Sequence, residues 1–365
     1  MLQEGTKKEA EKAVFQLISE TGHEQVVFCH DKDTGLKAIV GIHNTVLGPA
    51  IGGTRMWAYT SEEQALHDVL RLSRGMTFKN AIAGLNAGGG KAVIIGDART
   101  QKNEALLRRF GKFIESLSGK YITAEDVGMT SGDMEYIHMH TDFVSGKPEY
   151  LGGLGDPSPH TAYGTYLGMK AAAKVAWGSD SLSGKKIAVQ GVGSVGEMLL
   201  PYLKKEGCKI YASDFYEDRL QQVADKYQIE TVGLNEIYKL PVDIYSPCAL
   251  GATINNNTLK QLKCKVVAGC ANNQLADEKL HGEACLKQGI VYAPDFLINC
   301  GGVINVYAET VDAGPAYSKA QTEKIYDMSL KVLQRSASEQ RNAQEVAMEI
   351  AMQRINNIAR VNSNL

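Results

Sequence analysis

The sequence predicts an α/β protein of two domains. Three observations carry that expectation: strand-like and helical segments alternate along most of the 365 residues, glycines and prolines cluster near the middle of the chain, and a glycine-rich turn joins a strand to a helix beyond that cluster. Composition agrees with ordinary cores, at 44% hydrophobic and 22% charged residues. Lys and Arg number 39 against 41 Asp and Glu, a net charge of −2, so the basic surplus that a nucleic-acid partner requires is missing. The N-terminal stretch is charged throughout, with no apolar signal segment, and no apolar run approaches the roughly 20 residues of a membrane span. A cytoplasmic protein without a membrane partner is expected. Glycine stands out, because 37 of 365 is about 10% against roughly 7% in typical domains.

The elements follow in order. A charged amphipathic helix is predicted over 7–21 and stopped by Gly22, then strands over 25–30 and 36–43 joined by Asp31-Lys32-Asp33-Thr34-Gly35. Ser61 and Gln64 form a capping box, and the helix behind it runs toward Arg74 on Leu66, Val69, Leu70 and Leu72. Asn86-Ala87-Gly88-Gly89-Gly90-Lys91 feeds an apolar strand over 92–95, followed by a helix over 103–117 and a strand over 121–124 that ends in Glu125-Asp126. Seven glycines and prolines between 144 and 160 mark a domain boundary, dividing the chain into 1–146 and 147–334. Beyond it come helices at 161–177, 194–206, 217–227 and 277–288, and strands at 186–190, 208–213, 242–246, 266–269 and 290–294. Residues 317–360 are predominantly helical, and Pro201 should kink its helix. Seven cysteines, odd in number and without a CxxC pair, read as buried free thiols. His138-Met139-His140 has no third ligand at metal spacing, so no metal site is expected.

Gly191-Val192-Gly193-Ser194-Val195-Gly196 matches G-x-G-x-x-G between a strand and a helix. The first glycine permits the tight turn, the second lets backbone approach a pyrophosphate, and the third lets helix and strand pack closely. The helix N-terminus then presents unpaired N–H groups to phosphate. Asp214 ends the next strand, placed to accept from a ribose 2′-hydroxyl and to repel a 2′-phosphate. The second domain therefore reads as a Rossmann-type domain with NAD as cofactor.

Chemistry is sought in the first half, at Gly52-Gly53-Thr54-Arg55-Met56, Lys79, Lys91 and Asp126. Lys79 lies among Met76-Thr77-Phe78 and Asn80-Ala81-Ile82-Ala83, a poor setting for a solvated lysine. Lys91 opens a strand after three glycines, and Asp126 sits past the carboxyl end of another, where α/β proteins place ligands. A buried lysine beside a second cation loses proton affinity and can act as a general base near neutral pH. The second lysine would hold a carboxylate and the aspartate would shuttle a proton, three roles that oxidative deamination of an amino acid uses together.

These residues resemble the glutamate/leucine/phenylalanine/valine group of amino-acid dehydrogenases, most closely its leucine-type members. The resemblance spans residues 24–308 and rests on ordered blocks. They include Gly52-Gly53-Thr54-Arg55-Met56-Trp57, Gly75-Met76-Thr77-Phe78-Lys79-Asn80, Gly88-Gly89-Gly90-Lys91, Thr123-Ala124-Glu125-Asp126, Pro247-Cys248-Ala249-Leu250-Gly251 and Asn299-Cys300-Gly301-Gly302-Val303. It implies two domains facing a deep cleft, a mixed-sheet substrate domain and the NAD domain, with C-terminal helices (335–365) returning to the first, and a homo-oligomer.

The resemblance also implies roles. Lys79 binds the substrate carboxylate with Asn272 or Asn273 and the backbone of Gly52 and Gly53. Lys91 activates water, Asp126 assists proton transfer, Thr161 meets the nicotinamide carboxamide, and Cys248-Ala249 line the cofactor. Pocket positions Ile51, Ala124, Val303 and Val306 are all apolar, which disfavours glutamate and fits leucine, valine and isoleucine. Phenylalanine is the alternative substrate, and a non-enzymatic NAD sensor the alternative class. The glycine clusters at 52–53, 88–90, 191–196 and 301–302 are expected where bare backbone must approach ligands, and that at 152–155 at the domain join.

Overall fold

The computed structural model describes residues 14–363. Two sheets organise it. The first is mixed, with strands β1 (Gln25–Asp31), β2 (Leu36–Asn44), β3 (Ala50–Trp57), β4 (Gly88–Ile95) and β5 (Tyr121–Glu125) in the order β1-β2-β4-β3-β5. β1, β2 and β4 pair antiparallel, while β3 runs parallel to both β4 and β5. Helices α1 (Val14–Thr21), α2 (Glu62–Ile82), α3 (Glu104–Glu115) and α4 (Ser131–His138) cover it. Of the helix predicted over 7–21, residues 14–21 form α1, and residues 7–13 lie outside the described residues.

The second sheet is wholly parallel. It is introduced by α5 (Ser158–Trp177) and comprises β6 (Lys186–Gln190), β7 (Lys209–Ser213), β8 (Glu230–Thr231), β9 (Ile244–Pro247), β10 (Val266–Val267) and β11 (Val291–Tyr292), in the order β11-β10-β9-β6-β7-β8. Helices α6 (Ser194–Lys205), α7 (Glu217–Tyr227) and α8 (Glu278–Lys287) accompany it, as a doubly wound domain requires. α6 runs through Pro201 as one helix. Then come α9 (Asp295–Ile298), α10 (Gly301–Thr310), α11 (Gly314–Glu339) and α12 (Ala343–Asn362). No described helix is long and apolar enough to cross a membrane.

The C-terminal helices do return. Arg354 on α12 donates to the carbonyls of Ala81, Gly84 and Leu85 and to Asn86 Oδ1, at 2.6–3.3 Å, gathering the loose carbonyls after α2. One apolar core joins Leu47, Phe78, Ala81 and Ile82 of the first part to Leu199, Ile244, Val346 and Ile355 of the second. All seven cysteines are free thiols, and six are buried.

Two expectations need correction. The helix that starts at Ser61 does not stop near Arg74 but continues to Ile82, because Gly75 faces open space and costs the helix only propensity. The fourth strand begins at Gly88 and not at residue 92. Glycine's low strand propensity hid that start, just as it hid β3, whose centre is Gly52-Gly53. The glycines at 52–53 and 88–90 also serve the protein's own packing. A Cβ on Gly52 would lie 1.8 Å from the Gly90 carbonyl oxygen, and one on Gly89 would lie 2.1 Å from the Thr77 nitrogen of α2. Their bare backbone lets α2 sink onto β4, which brings Lys79 toward Lys91.

Candidate active site

Lys91 from the middle of β4, Arg55 from the last part of β3 and Asp126 from just past β5 meet side by side. Gly53 pairs with Ala124 across the β3–β5 ladder, and a Cβ there would stand 3.0 Å from Asp126 Cβ and 2.4 Å from the Glu125 carbonyl oxygen. The missing side chain gives the chain after β5 room to fold across β3. Asp126 then accepts from Lys91 Nζ on Oδ1 at 2.9 Å and from Arg55 Nε on Oδ2 at 2.9 Å. Burial alone would raise the Asp126 carboxyl, but the Lys91 ammonium and the Arg55 guanidinium outweigh it and hold it at about 2. Lys91 is only 5% exposed, so the pair sits in a medium where charge is felt strongly.

Lys79 stands in the last turn of α2. Its neighbour Asn80 ties that turn to the sheet by donating to the Gly88 carbonyl at 2.6 Å. Among the described residues the Lys79 ammonium has no hydrogen bond or ion pair. Burial lowers its proton affinity and Lys91 adds to that, against the opposing pull of Cys300, Asp295 and Asp126. An unpaired cation beside a paired one suits capture of an anion from solution.

The apolar positions also converge. Ile51, Val303 and Val306 share one cluster with Leu85, Ala87, Ile122, Met76 and Tyr307, and Ala124 lies buried two residues along β5 from Ile122. The ladder from β3 to β4 pairs Ala50, Ile51 and Thr54–Trp57 but skips Gly52 and Gly53. This cluster joins the first sheet to α10, so it is built by both halves of the chain.

On the facing side, Gly191 adopts φ +98° and Gly196 packs against its carbonyl, where a Cβ would lie 2.2 Å away. Gly193 differs, since a Cβ there would meet nothing nearer than 3.7 Å. It also stands at the N-cap of α6 without a side-chain cap, leaving the first-turn N–H groups of Ser194, Val195 and Gly196 for an anion. Asp214 accepts from the Val192 N–H at 2.8 Å and the Tyr216 N–H at 3.0 Å, which places its carboxylate beside the turn. Cys248 N donates to Gln190 O at 2.7 Å, and Ala249 packs on Gly191. These residues fit a dinucleotide. Thr161 lies in the first turn of α5 and accepts close approach from Gly302, whose Cβ would stand 2.6 Å from Thr161 Oγ1. Asn272 and Asn273 are exposed on a loop, Asn272 Oδ1 accepting from Asn299 at 2.8 Å and Asn273 taking φ 53°. Asp295, buried at the start of α9, accepts the Gln274 N–H at 2.9 Å and fixes that loop.

Sequence reasoning did not assign Arg55, Asp68, Asn80, Asp295 or Asn299. Arg55 was among the candidate residues, but its partner lies 71 positions away, and no spacing rule links them. A groove of about 1030 Å³ runs past Arg55, Trp57, Tyr59, Asp68 and Val127 to Leu250 of the second half.

A buried lysine–aspartate pair near a second lysine in one part of the chain, and a strand–glycine turn–helix in the other, fit a dinucleotide-dependent oxidoreductase. Residues 23–143 match the model described as Glu/Leu/Phe/Val dehydrogenase, dimerisation domain, and residues 213–363 that of the Glutamate/Leucine/Phenylalanine/Valine dehydrogenases. The chain belongs to this family and is an amino-acid dehydrogenase. It is 54% identical over 321 residues to a leucine dehydrogenase of Bacillus cereus, covering 88% of this chain and 87% of that one. A phenylalanine dehydrogenase of Caldalkalibacillus thermarum is 43% identical over 354 residues, covering 96% and 95%. The crystal structure of L-tryptophan dehydrogenase from Nostoc punctiforme aligns with a TM-score of 0.83 at 42% identity, over 95% of this chain and all of that one. Family membership sets aside the non-enzymatic sensor.

Proposed function

We propose that the chain catalyses NAD-dependent, reversible oxidative deamination of aliphatic L-amino acids, leucine with valine and isoleucine, to the 2-oxo acid and ammonia. The observation that carries this reading is the 2.9 Å Lys91–Asp126 pair beside the unpaired Lys79. NAD, held by Gly191–Gly196 and Asp214 with Thr161, Cys248 and Ala249, supplies the acceptor for the α-hydride. Lys79, with Asn272 or Asn273 and the Gly52-Gly53 backbone, holds the substrate carboxylate. Lys91 takes a proton from the water that adds to the substrate imine, and Asp126 passes protons to the nitrogen until ammonia leaves. Preference for an aliphatic side chain follows from Ile51, Ala124, Val303 and Val306, which offer neither a cation for glutamate nor a hydrogen-bond partner. One methylene in such a pocket is worth about 1–3 kcal/mol, so activity should overlap among the three substrates.

The acidic Asp214 beside the turn supports NAD over NADP. The division into 1–146 with 335–365, and 147–334, is supported by the hinge-like segment after Ser145, where the Glu309 carboxylate accepts from the N–H groups of Gly146, Lys147 and Leu154. A homo-oligomer is supported by the dimerisation-domain match over 23–143, and a cytoplasmic location by seven unpaired thiols. The test is NADH absorbance at alkaline pH with NAD and a panel of amino acids. Strong activity on leucine, valine and isoleucine is expected, and a preference for phenylalanine or tryptophan would overturn the substrate assignment.

A further inference from the structure

Arg55 reaches in two directions from the end of β3. Its Nε donates to Asp126 Oδ2 at 2.9 Å, and Nη1 donates to Asp68 Oδ2 at 3.0 Å. Asp68, on α2, is itself held by the Tyr59 hydroxyl at 2.7 Å and by Arg71 at 3.0 Å. The result is an alternating chain of charge, Lys91–Asp126–Arg55–Asp68–Arg71, running from the candidate proton-transfer pair to the surface of α2.

The two aspartates have different settings. Asp126 lies on a loop past β5, so nothing in its own backbone fixes the direction of its carboxylate. With one oxygen held by a rigid, planar guanidinium, the other is left facing Lys91. Arg55 can do this only if it is itself held, because a long side chain otherwise samples many rotamers. Asp68 supplies that anchor, and α2, which also carries Lys79, supplies the frame. The side chains of Arg55 and Asp126 are each 23% exposed and that of Asp68 is 15% exposed, so the network is sheltered without being sealed.

We infer that Arg55 is a positioning residue for the deamination, orienting Asp126 toward Lys91 while Asp68 locks Arg55 in place. The inference rests on the reading in which Lys91 and Asp126 carry the proton transfers. It separates the machinery into groups that meet substrate and a second tier that aims them, with the carboxylate of α2 as its outer member.

A double-mutant cycle on the full chain tests it. Arg55→Gln should lower kcat about 10- to 100-fold, the scale of a misplaced catalytic group, with KM for leucine and Kd for NAD changed less than about threefold. Arg55→Lys should recover part of the loss, since one ammonium can replace one of the two contacts. In the Asp126→Asn background, Arg55→Gln should cost less than about a further twofold, because the group it aims is already disabled. Asp68→Asn should show a smaller loss that likewise vanishes in that background, and it keeps the test alive if Arg55→Gln fails to fold. Equal losses in both backgrounds would overturn the inference, as would a loss confined to KM, which would put Arg55 in substrate binding. Full turnover by Asp126→Asn would instead overturn the proton-transfer reading on which the inference rests.

Discussion

Lys79 and Lys91 lie near enough for Lys91 to lower the proton affinity of Lys79, and their partners separate them. Lys91 is held by Asp126 at 2.9 Å, whereas Lys79 meets no acidic side chain at contact distance. Sequence context made both lysines candidates through their apolar and glycine-rich neighbours. It did not say which of them is paired, because pairing depends on loops that converge only in the fold. Lys79→Ala should raise KM for leucine about 10- to 100-fold, the worth of a charge-assisted contact of about 1.5–3 kcal/mol, while Kd for NAD stays unchanged. Steady-state kinetics beside cofactor titration checks this; an unchanged KM would remove Lys79 from carboxylate binding. Asp214 was legible from spacing alone, as the acidic end of the strand after the glycine turn, and the structure adds its 2.8 Å contact to Val192 N. Asp214→Ser should narrow the NAD-over-NADP preference in kcat/KM, and an unaltered ratio would move that discrimination to another residue.

At the scale of the element, α2 and its glycine-rich bed carry the argument. The N-cap at Ser61 was readable, its side chain accepting from Gln64 N, but the expected capping box does not close, because Gln64 Oε1 accepts from the Thr60 N–H instead, and the helix end was not legible. What extends α2 to Ile82 is burial of Thr77, Phe78, Asn80 and Ala81, a tertiary gain that outweighs Gly75. Gly89→Ala would push a methyl into the α2 backbone at 2.1 Å. It should cost about 1–3 kcal/mol in denaturant unfolding and also raise KM for leucine, because α2 carries Lys79. The other flank of α2 holds two buried histidines. His23 Nε2 meets Ser73 Oγ at 2.7 Å, His43 Nδ1 meets Thr77 Oγ1 at 2.8 Å, and the rings lie 4.8 Å apart. Burial lowers both to about 4, with His43 adding to the effect on His23 and Arg74 to that on His43. Both are neutral in the fold, so the unfolded chain binds more protons between its ordinary histidine value of 6.5 and about 4. Stability should therefore fall as pH drops through that window and level off below it for these groups. Urea unfolding from pH 7 to pH 4.5 reads the slope, which His43→Gln should reduce; an identical slope would assign the acid sensitivity to other groups.

Across the whole molecule, the two halves are joined by more than their connecting segment. Arg354 of α12 caps the carbonyls after α2, and α10 supplies Val303 and Val306 to the apolar cluster that holds Ile51. Arg354→Ala should lower thermal stability and raise KM for leucine together, since it frees the end of α2 while removing hydrogen bonds worth about 1.5–3 kcal/mol each at a charged donor. A lower melting temperature with unchanged kinetics would confine Arg354 to stability. The sequence by itself determined what is local or periodic: the α/β alternation, the strand–turn–helix of Gly191–Gly196, the acidic residue that follows, and the apolar character of the pocket positions. Only the tertiary structure decided which glycines serve the protein's own packing and that Gly193, within the dinucleotide turn, stays open. It alone decided which lysine is paired, and that Arg55 links Asp126 to Asp68. The reason is physical. Turn geometry and hydrophobic period act over a few residues, whereas the Lys91–Asp126 pair is fixed by charge and contact between strands that lie far apart in the chain.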